Sequence, residues 1–594
     1  HSTLINVISP NEMTVEVNRT ITVLNKLGNS KIGAYVHYDN DSKVTKLSAK
    51  IFDAFGRQIK KVSKSKFKDV SAVDGGTLYS DSRVKYLEYT PLTYPYTVQV
   101  NYVYKTSSTG FIPSWFPVDS YYVSIENSEY KLQNPSDIKV RVKENHFNNF
   151  KTENHSEGNN LHYNLKNQPA LKFERHTLSL HDLLPSLSVG LNNFSLKGIR
   201  GAAKDWSDFG RWRYIYLKNG NDQLSEDVKN RARKLVEGVE SDVEKAKIIY
   251  EYMQGRTRYI SVQEGIGGWK PIPANEVDNL GYGDCKGLTN YTKALLDAVG
   301  VKSYYTVLWA GSEKRNVYKD FFSMQGNHVI LNLPQEDGED IWLECTSQTA
   351  PFGFLGDFTD DRDVLVVTPE GGVIKRTTSY KNDFNLQKMK AKVTLSENGS
   401  VKGEVTIKTY GIQYDSKYQI ETYNQKEKVD YYKTTLWDYN NNLSVSNIKH
   451  LNDKDKIEFT EKLNVNIDEF AAVSGDKLLL RVNVFNINTN VPKRYRSRQQ
   501  PLKIERGYKD EDTIEIIIPE SYSADGGLFE TKSIENKFGK YHISIEKIAD
   551  NKLLYKRTLL INEGVYSKED YKTYRSFRRK VSRYDNIKIA LTKN

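Results

Sequence analysis

Cysteine is almost missing from this chain: Cys285 and Cys345 are the only two thiols among 594 residues. That count excludes a disulfide scaffold and every metal site built from three or four thiolates, and it leaves room for one working thiol. Proline is scarce, at 16 residues. No stretch approaches the ~18 consecutive apolar residues that a bilayer span needs, so the chain is read as not membrane-spanning. A dominant charge is lacking too. The 86 basic and 75 acidic residues leave a net +11 spread along the whole length, too diffuse for a nucleic-acid footprint. The chain opens at His1 with no basic and apolar leader, so a secretory signal is read as removed or never present.

Tyrosine is abundant, at 40 residues. A Tyr-rich, Pro-poor chain with many Val, Ile and Thr favours β structure with polar-tipped aromatic faces. Period-two alternation runs through Leu47, Ala49 and Ile51 and through Val98, Val100, Tyr102 and Tyr104, which predicts an N-terminal antiparallel β-sandwich over residues 1–190. Residues 191–222 form an aromatic connector containing Trp206, Phe209 and Trp212, expected to be packed because three exposed aromatics would make a large apolar patch.

From 223 the period becomes helical. Ser225 reads as the cap of one helix. Ser241 with Glu244 reads as the capping pattern of a second, ending at Gly255, and a third helix runs from Cys285 to Gly300. Strands follow at Tyr304 to Trp309, His328 to Leu333, Ile341 to Thr346 and Val364 to Thr368, so residues 223–384 read as an α+β core. Alternation returns over 385–594 as one or two further β domains, closed by a basic helix capped by Ser567 with the stripe Tyr571, Tyr574, Phe577 or Arg578, and Val581. Its Arg575, Arg578, Arg579, Lys580 and Arg583 read as a solvated face before they read as an anionic-lipid or glycan surface.

The chemistry concentrates in the core. Tyr282-Gly283-Asp284-Cys285-Lys286-Gly287 is a glycine-rich turn that puts a cysteine in the first turn of a helix, where free N–H groups favour a thiolate. Two readings stand for Cys285 at this point: nucleophile, or small buried hydrophobe on the stripe of Leu288 and Leu295. His328 is the only histidine between His181 and His450, and it opens an apolar strand. Glu344 is a carboxylate in the apolar strand Ile341-Trp342-Leu343-Glu344-Cys345-Thr346, where burial demands a partner such as an imidazole N–H. Cysteine, histidine and carboxylate in that order suit an activated thiol for acyl transfer. Competing motifs are weaker. Gly265-Ile266-Gly267-Gly268 reads as a turn, and Asp360, Asp361 and Asp363 read as an exposed loop rather than a cation site.

Gly-Asp-Cys-Lys, Asn-His-Val-Ile and Trp-Leu-Glu-Cys-Thr-Ser together resemble the transglutaminase-like superfamily, in the bacterial arrangement with a DUF3857 domain before the core and a DUF3858 domain after it. The resemblance implies a multidomain α+β protein with a papain/transglutaminase-like core. It places the nucleophile on Cys285, the base on His328 and the acidic orienter on Glu344, where the family usually carries Asp. Gly287 stands where many relatives carry a further polar residue. Oxyanion and cleft candidates are Gln263, Tyr259 and Trp269 in the loop from Arg258 to Asp284, which has little regular structure and is expected to form one wall of the cleft with Trp269 touching a bound substrate, with Phe352 to Phe354 as the opposite wall. The expected function is thiol-dependent hydrolysis of a peptide or amide bond in a peptide, protein or peptidoglycan-type substrate, with no cofactor and no metal. The alternative is a non-catalytic envelope scaffold, or a glycan- or protein-binding module, around a degenerate core. The expected location is the periplasm or cell surface of a Bacteroidota-type bacterium, with Cys285 and Cys345 unpaired.

Overall fold

In the computed structural model, which describes residues 1–73, 77–218, 220–263, 268–524 and 531–594, period-two alternation becomes strand through most of the N-terminal region. The chain divides into two units, one of 1–173, 179–355 and 361–378, the other of 174–178, 356–360 and 379–594.

In the first unit, Ser2–Ser9, Glu12–Val23, Ser42–Phe52, Tyr96–Thr106 and Ile125–Gln133 belong to one eight-stranded sheet. It is antiparallel except where Ser2–Ser9 runs parallel to Ile125–Gln133. Two small sheets supply a second layer. The pair Val140–Asn145 and Ser186–Leu191 closes a core of Ile5, Val15, Tyr130 and Leu187, while the Tyr35–Tyr38 strand closes another around Val36, Ile51 and Val98. The sandwich therefore has one long face and a divided opposing face.

The helices of this unit follow their caps. Ser225 accepts the Val228 N–H for helix Glu226–Leu235, and Ser241 accepts the Glu244 N–H for Asp242–Arg256. That second helix runs one residue past Gly255, because Thr257 rather than a glycine caps its end. The aromatic connector is itself helical from Trp206 to Lys218: Asp205 accepts the Asp208 N–H, and Phe209 is 2% exposed. This helix lies directly on the sheet, since a Cβ on Gly210 would stand 2.1 Å from the Cα of Gly372. The sheet is antiparallel throughout, in the order Ile341–Leu343, His328–Leu333, Tyr304–Leu308, Asp363–Val367, Gly372–Arg376. One face packs Leu331, Leu333 and Leu343 against the helices, and Ile330, Trp342 and Val364 form a core on the other.

Residues Asp360, Asp361 and Asp363 are not an exposed loop. Asp361 is half-buried and Asp363 buried, both paired with Arg376, with Lys314 also on Asp361. Asp360, in the second unit, is fully buried on Arg506. Three carboxylates that looked solvated in sequence are each neutralised by a basic residue distant in the chain. Among the described residues, no group of three or more His, Cys, Asp or Glu side chains is placed to hold a metal.

In the second unit, two antiparallel halves merge into one eight-stranded sheet, because Leu386–Leu395 pairs in parallel with Tyr508–Ile517. A four-stranded sheet and the Tyr571–Asp585 helix cover the same core, so the β region is one layered body. The helix buries Tyr571, Tyr574, Phe577 and Val581 as its stripe predicts. Arg575 and Arg578 hydrogen-bond to Pro492 and Asn488, while Arg579, Lys580 and Arg583 face solvent. At its end, fully buried Asp585 binds Arg557, 2.7 Å from Nε, and accepts the Tyr541 hydroxyl, also at 2.7 Å. Asp585→Ala should leave the Arg557 charge partly unpaired and lower this unit's unfolding free energy by about 3–5 kcal/mol. Arg579→Ala on the exposed face should change it by less than about 0.5 kcal/mol, both read from urea denaturation.

Candidate active site

Cys285 is the first residue of helix Cys285–Ala298 and is 6% exposed. The approach to it is built by backbone. Helix Ala274–Leu280 stops at Gly281, which takes φ +68°, a left-handed conformation that glycine adopts without strain. Tyr282–Gly283 then pairs in parallel with Arg258–Tyr259. Asp284 caps the helix by accepting the Gly287 N–H at 2.9 Å, and the Lys286 ammonium pairs with the same buried carboxylate. The acid nearest the thiol in sequence is thus neutralised locally, and Cys285 sits among first-turn N–H groups that the helix itself leaves without acceptors.

His328 and Glu344 come together through strand register. Leu331 pairs with Leu343, so the continued register sets residue 344 opposite Ile330 and diagonal to His328 on the same face. His328 Nε2 lies 3.1 and 2.9 Å from the two carboxylate oxygens of Glu344. The additional methylene of Glu, compared with an Asp at this position, does not prevent contact. With Nε2 engaged by the carboxylate, Nδ1 is the nitrogen left for Cys285, to which the imidazole is also hydrogen-bonded.

The electrostatics follow from this geometry. Burial pulls the imidazole toward its neutral form, but the Glu344 charge and hydrogen bonds to Cys285 and Glu344 outweigh it and push the His328 pKa up to about 10. Burial works against the Glu344 charge as well. The imidazolium and two hydrogen bonds from Thr346, one from its hydroxyl and one from its N–H, hold the carboxyl below its ordinary value. Cys345 faces the helical core, is fully buried, and has its thiol pushed up to about 12 by burial. Both thiols are free.

Helix Asp242–Arg256 fixes the segment carrying the carboxylate. The Tyr250 hydroxyl donates to the Glu344 carbonyl at 2.9 Å, and Gln254 donates to the carbonyls of Ser347 and Ala350 at 2.8 and 2.9 Å. Thr289, one turn after Cys285, donates to the Val329 carbonyl at 3.3 Å and so ties the cysteine helix to the histidine strand. None of these three residues stood out in the sequence, because each acts through a backbone carbonyl whose partner is set only by the fold.

The loop before Cys285 is more ordered than a plain connector, since it contains helix Ala274–Leu280 and a strand, Ser261–Gln263, paired in parallel with Thr77–Ser80. The Gln263 side chain and the turn Gly265 to Gly267 lie outside the described residues. Tyr259 stands beside Gly283 by backbone pairing, with its side chain 42% exposed. Trp269 packs on Phe111 from the N-terminal region, ring centroids 4.7 Å apart. Phe352 and Phe354 do not form an open wall: Phe352 packs edge-on to Tyr250 and Phe354 is 3% exposed. Gly287 faces Val277 and Ile272 in the interior.

Residues 9–172 match DUF3857 and residues 476–591 match DUF3858, each described as a "Domain of Unknown Function with solved-structure structure". The two matched stretches thus lie on either side of the α+β core. Its fold is shared with the crystal structure of a "putative protease" from Parabacteroides distasonis, at a TM-score of 0.63 and 13% identity over 100% of this chain and 98% of that one. A "putative cysteine protease" from Cytophaga hutchinsonii is matched at a TM-score of only 0.17 and 12% identity, over 57% of this chain and 77% of that one. No curated protein matches the sequence.

Two outcomes are expected. Iodoacetamide should alkylate Cys285 much faster than the fully buried Cys345, as read by peptide mass spectrometry of the folded protein. Because the folded His328 pKa lies above the unfolded value, its stabilising contribution is complete below about pH 6.5 and is lost as pH rises toward about 10. Wild-type stability should therefore fall with pH across that window by up to about 1 kcal/mol per unit more than that of His328→Gln, measured by denaturant titration at each pH.

Proposed function

We propose that this chain is a cysteine hydrolase acting on a peptide or amide bond, with Cys285 as nucleophile, His328 as acid and base, and Glu344 as the residue that orients the imidazole. The observation carrying this reading is the paired contact of His328 Nε2 with both oxygens of Glu344, which leaves the other ring nitrogen for the Cys285 thiol. In the reaction, the thiolate sulfur bonds to the acyl carbon and the carbonyl π electrons move to oxygen, where the Cys285 N–H can donate. Collapse of that intermediate expels the amine, which takes its proton from the His328 imidazolium. Neutral His328 then removes a proton from water, whose oxygen attacks the thioester and releases acid and thiolate.

Water is the acceptor in this reading because no residue of the core is assigned to hold an amine, and cross-linking is the lesser outcome. The substrate is a peptide, protein or peptidoglycan-type amide, and the setting is the bacterial envelope. The test is incubation of envelope peptides and peptidoglycan fragments with wild-type and Cys285→Ala protein, reading new termini by mass spectrometry. Cleavage should vanish in Cys285→Ala. Glu344→Gln should lower kcat by about 10²- to 10⁴-fold, and Glu344→Asp by much less, since it keeps the charge. Equal product formation by wild-type and Cys285→Ala protein would overturn the assignment.

A further inference from the structure

Beside the reacting groups lies a set of buried polar atoms that the proposed triad does not use. Arg213, on helix Trp206–Lys218, is 5% exposed, and its Nε has no hydrogen-bond partner. Tyr216 on the same helix and Tyr305 on the Tyr304–Leu308 strand are 8% and 2% exposed, and neither hydroxyl has a partner. Tyr216, Tyr305 and Cys285 belong to one packed cluster with Phe209 and Val307. Arg213 interacts electrostatically with both tyrosines, and Tyr305 in turn with Cys285 and Asp284.

A buried guanidinium whose Nε has no partner and two orphan hydroxyls are costly for a fold to keep. All three groups offer protons: the guanidinium is donor-only, and each phenol can donate. Asp284, the acid within electrostatic reach of Tyr305, is already paired with Lys286. The Lys270 ammonium lies 5.8 Å over the Tyr216 ring and adds positive charge next to Trp269 in the cleft loop. A donor-rich, positively charged cluster is completed by an anion, and the planar fork of arginine matches a carboxylate.

We propose that Arg213, with the hydroxyls of Tyr216 and Tyr305, receives a carboxylate of the substrate, so that the enzyme acts on amides bearing a free carboxylate close to the scissile bond. This rests on the reading of Cys285 as nucleophile. The carboxylate belongs either to an acidic side chain or to a chain terminus, and the two sources share one chemistry.

The test uses binding to Cys285→Ala protein, which needs no turnover. N-acetyl-Ala-Ala and its amide probe a terminal carboxylate, and N-acetyl-Glu-amide against N-acetyl-Gln-amide probes a side chain, all by titration calorimetry. At least one acid should bind about tenfold or more tighter than its neutral partner. The preference should disappear in Cys285→Ala/Arg213→Met, persist in part with Arg213→Lys, and weaken with Tyr305→Phe. Arg213→Met should melt at or above the parent temperature, because it removes a buried guanidinium whose Nε has no partner. Acids bound no better than amides, or a melting temperature several degrees lower in Arg213→Met, would overturn the proposal. A chain that prefers acids yet never cleaves would sink the hydrolase reading alone, whereas an active enzyme indifferent to carboxylates would sink the anion site alone.

Discussion

Glu344 stays charged at 7% exposure, where burial opposes the charge, and much of the architecture around Cys285 serves that requirement. A buried carboxylate must be met by donors at fixed positions, which here are the imidazole of His328 and the hydroxyl and N–H of Thr346. Meeting it fixes the register of two strands. It also fixes the height of helix Asp242–Arg256, which holds the Glu344 carbonyl, and the placement of helix Cys285–Ala298, which is bonded to the strand beside His328. The thiol is placed by elements that would have to shift together to displace it.

The N-terminal region takes part in the same arrangement. Its Thr77–Ser80 strand pairs with the loop that leads to Cys285, and Phe111 supports Trp269 in that loop. Arg141 reaches the segment before His328, donating to the Phe322 carbonyl at 2.6 Å and stacking 3.2 Å over the Phe322 ring. Both approaches to the site, the one to the thiol and the one to the imidazole, are braced by side chains or backbone from the large sandwich.

Helices Glu226–Leu235, Asp242–Arg256 and Cys285–Ala298 and the strand beginning at His328 were legible because caps and alternation are local signals, whereas helices Trp206–Lys218 and Ala274–Leu280 were not. Ser225 and Ser241 each announce a helix within three residues of where it starts, and the glycine-rich turn before Cys285 announces a third. The meeting of Glu344 with His328 was legible from a different rule, that a carboxylate in an apolar strand needs a partner. What stayed hidden depends on distant chain. Asp360, Asp361 and Asp363 read as a solvated acidic run because their cations lie elsewhere in the sequence, and the Arg213 cluster has no spacing that marks it. The parallel pairing of Leu386–Leu395 with Tyr508–Ile517 was equally silent, since alternation identifies a strand but not its neighbour.

That parallel pairing also bears on the birth of the protein. The partner strands at the centre of the eight-stranded sheet are separated by more than a hundred residues of chain, and the strand Lys588–Lys593, at the very end, lies between two others in the smaller sheet. Strand Leu386–Leu395 therefore emerges from the ribosome with one edge unpaired, and the eight-stranded sheet cannot close before Lys552–Ile561 is made, nor the smaller sheet before Lys588–Lys593. An open edge during that interval is a template for wrong pairing. Such non-local closure is intrinsically slow, so the interval is when the nascent chain has most need of a chaperone or of isolation from its neighbours.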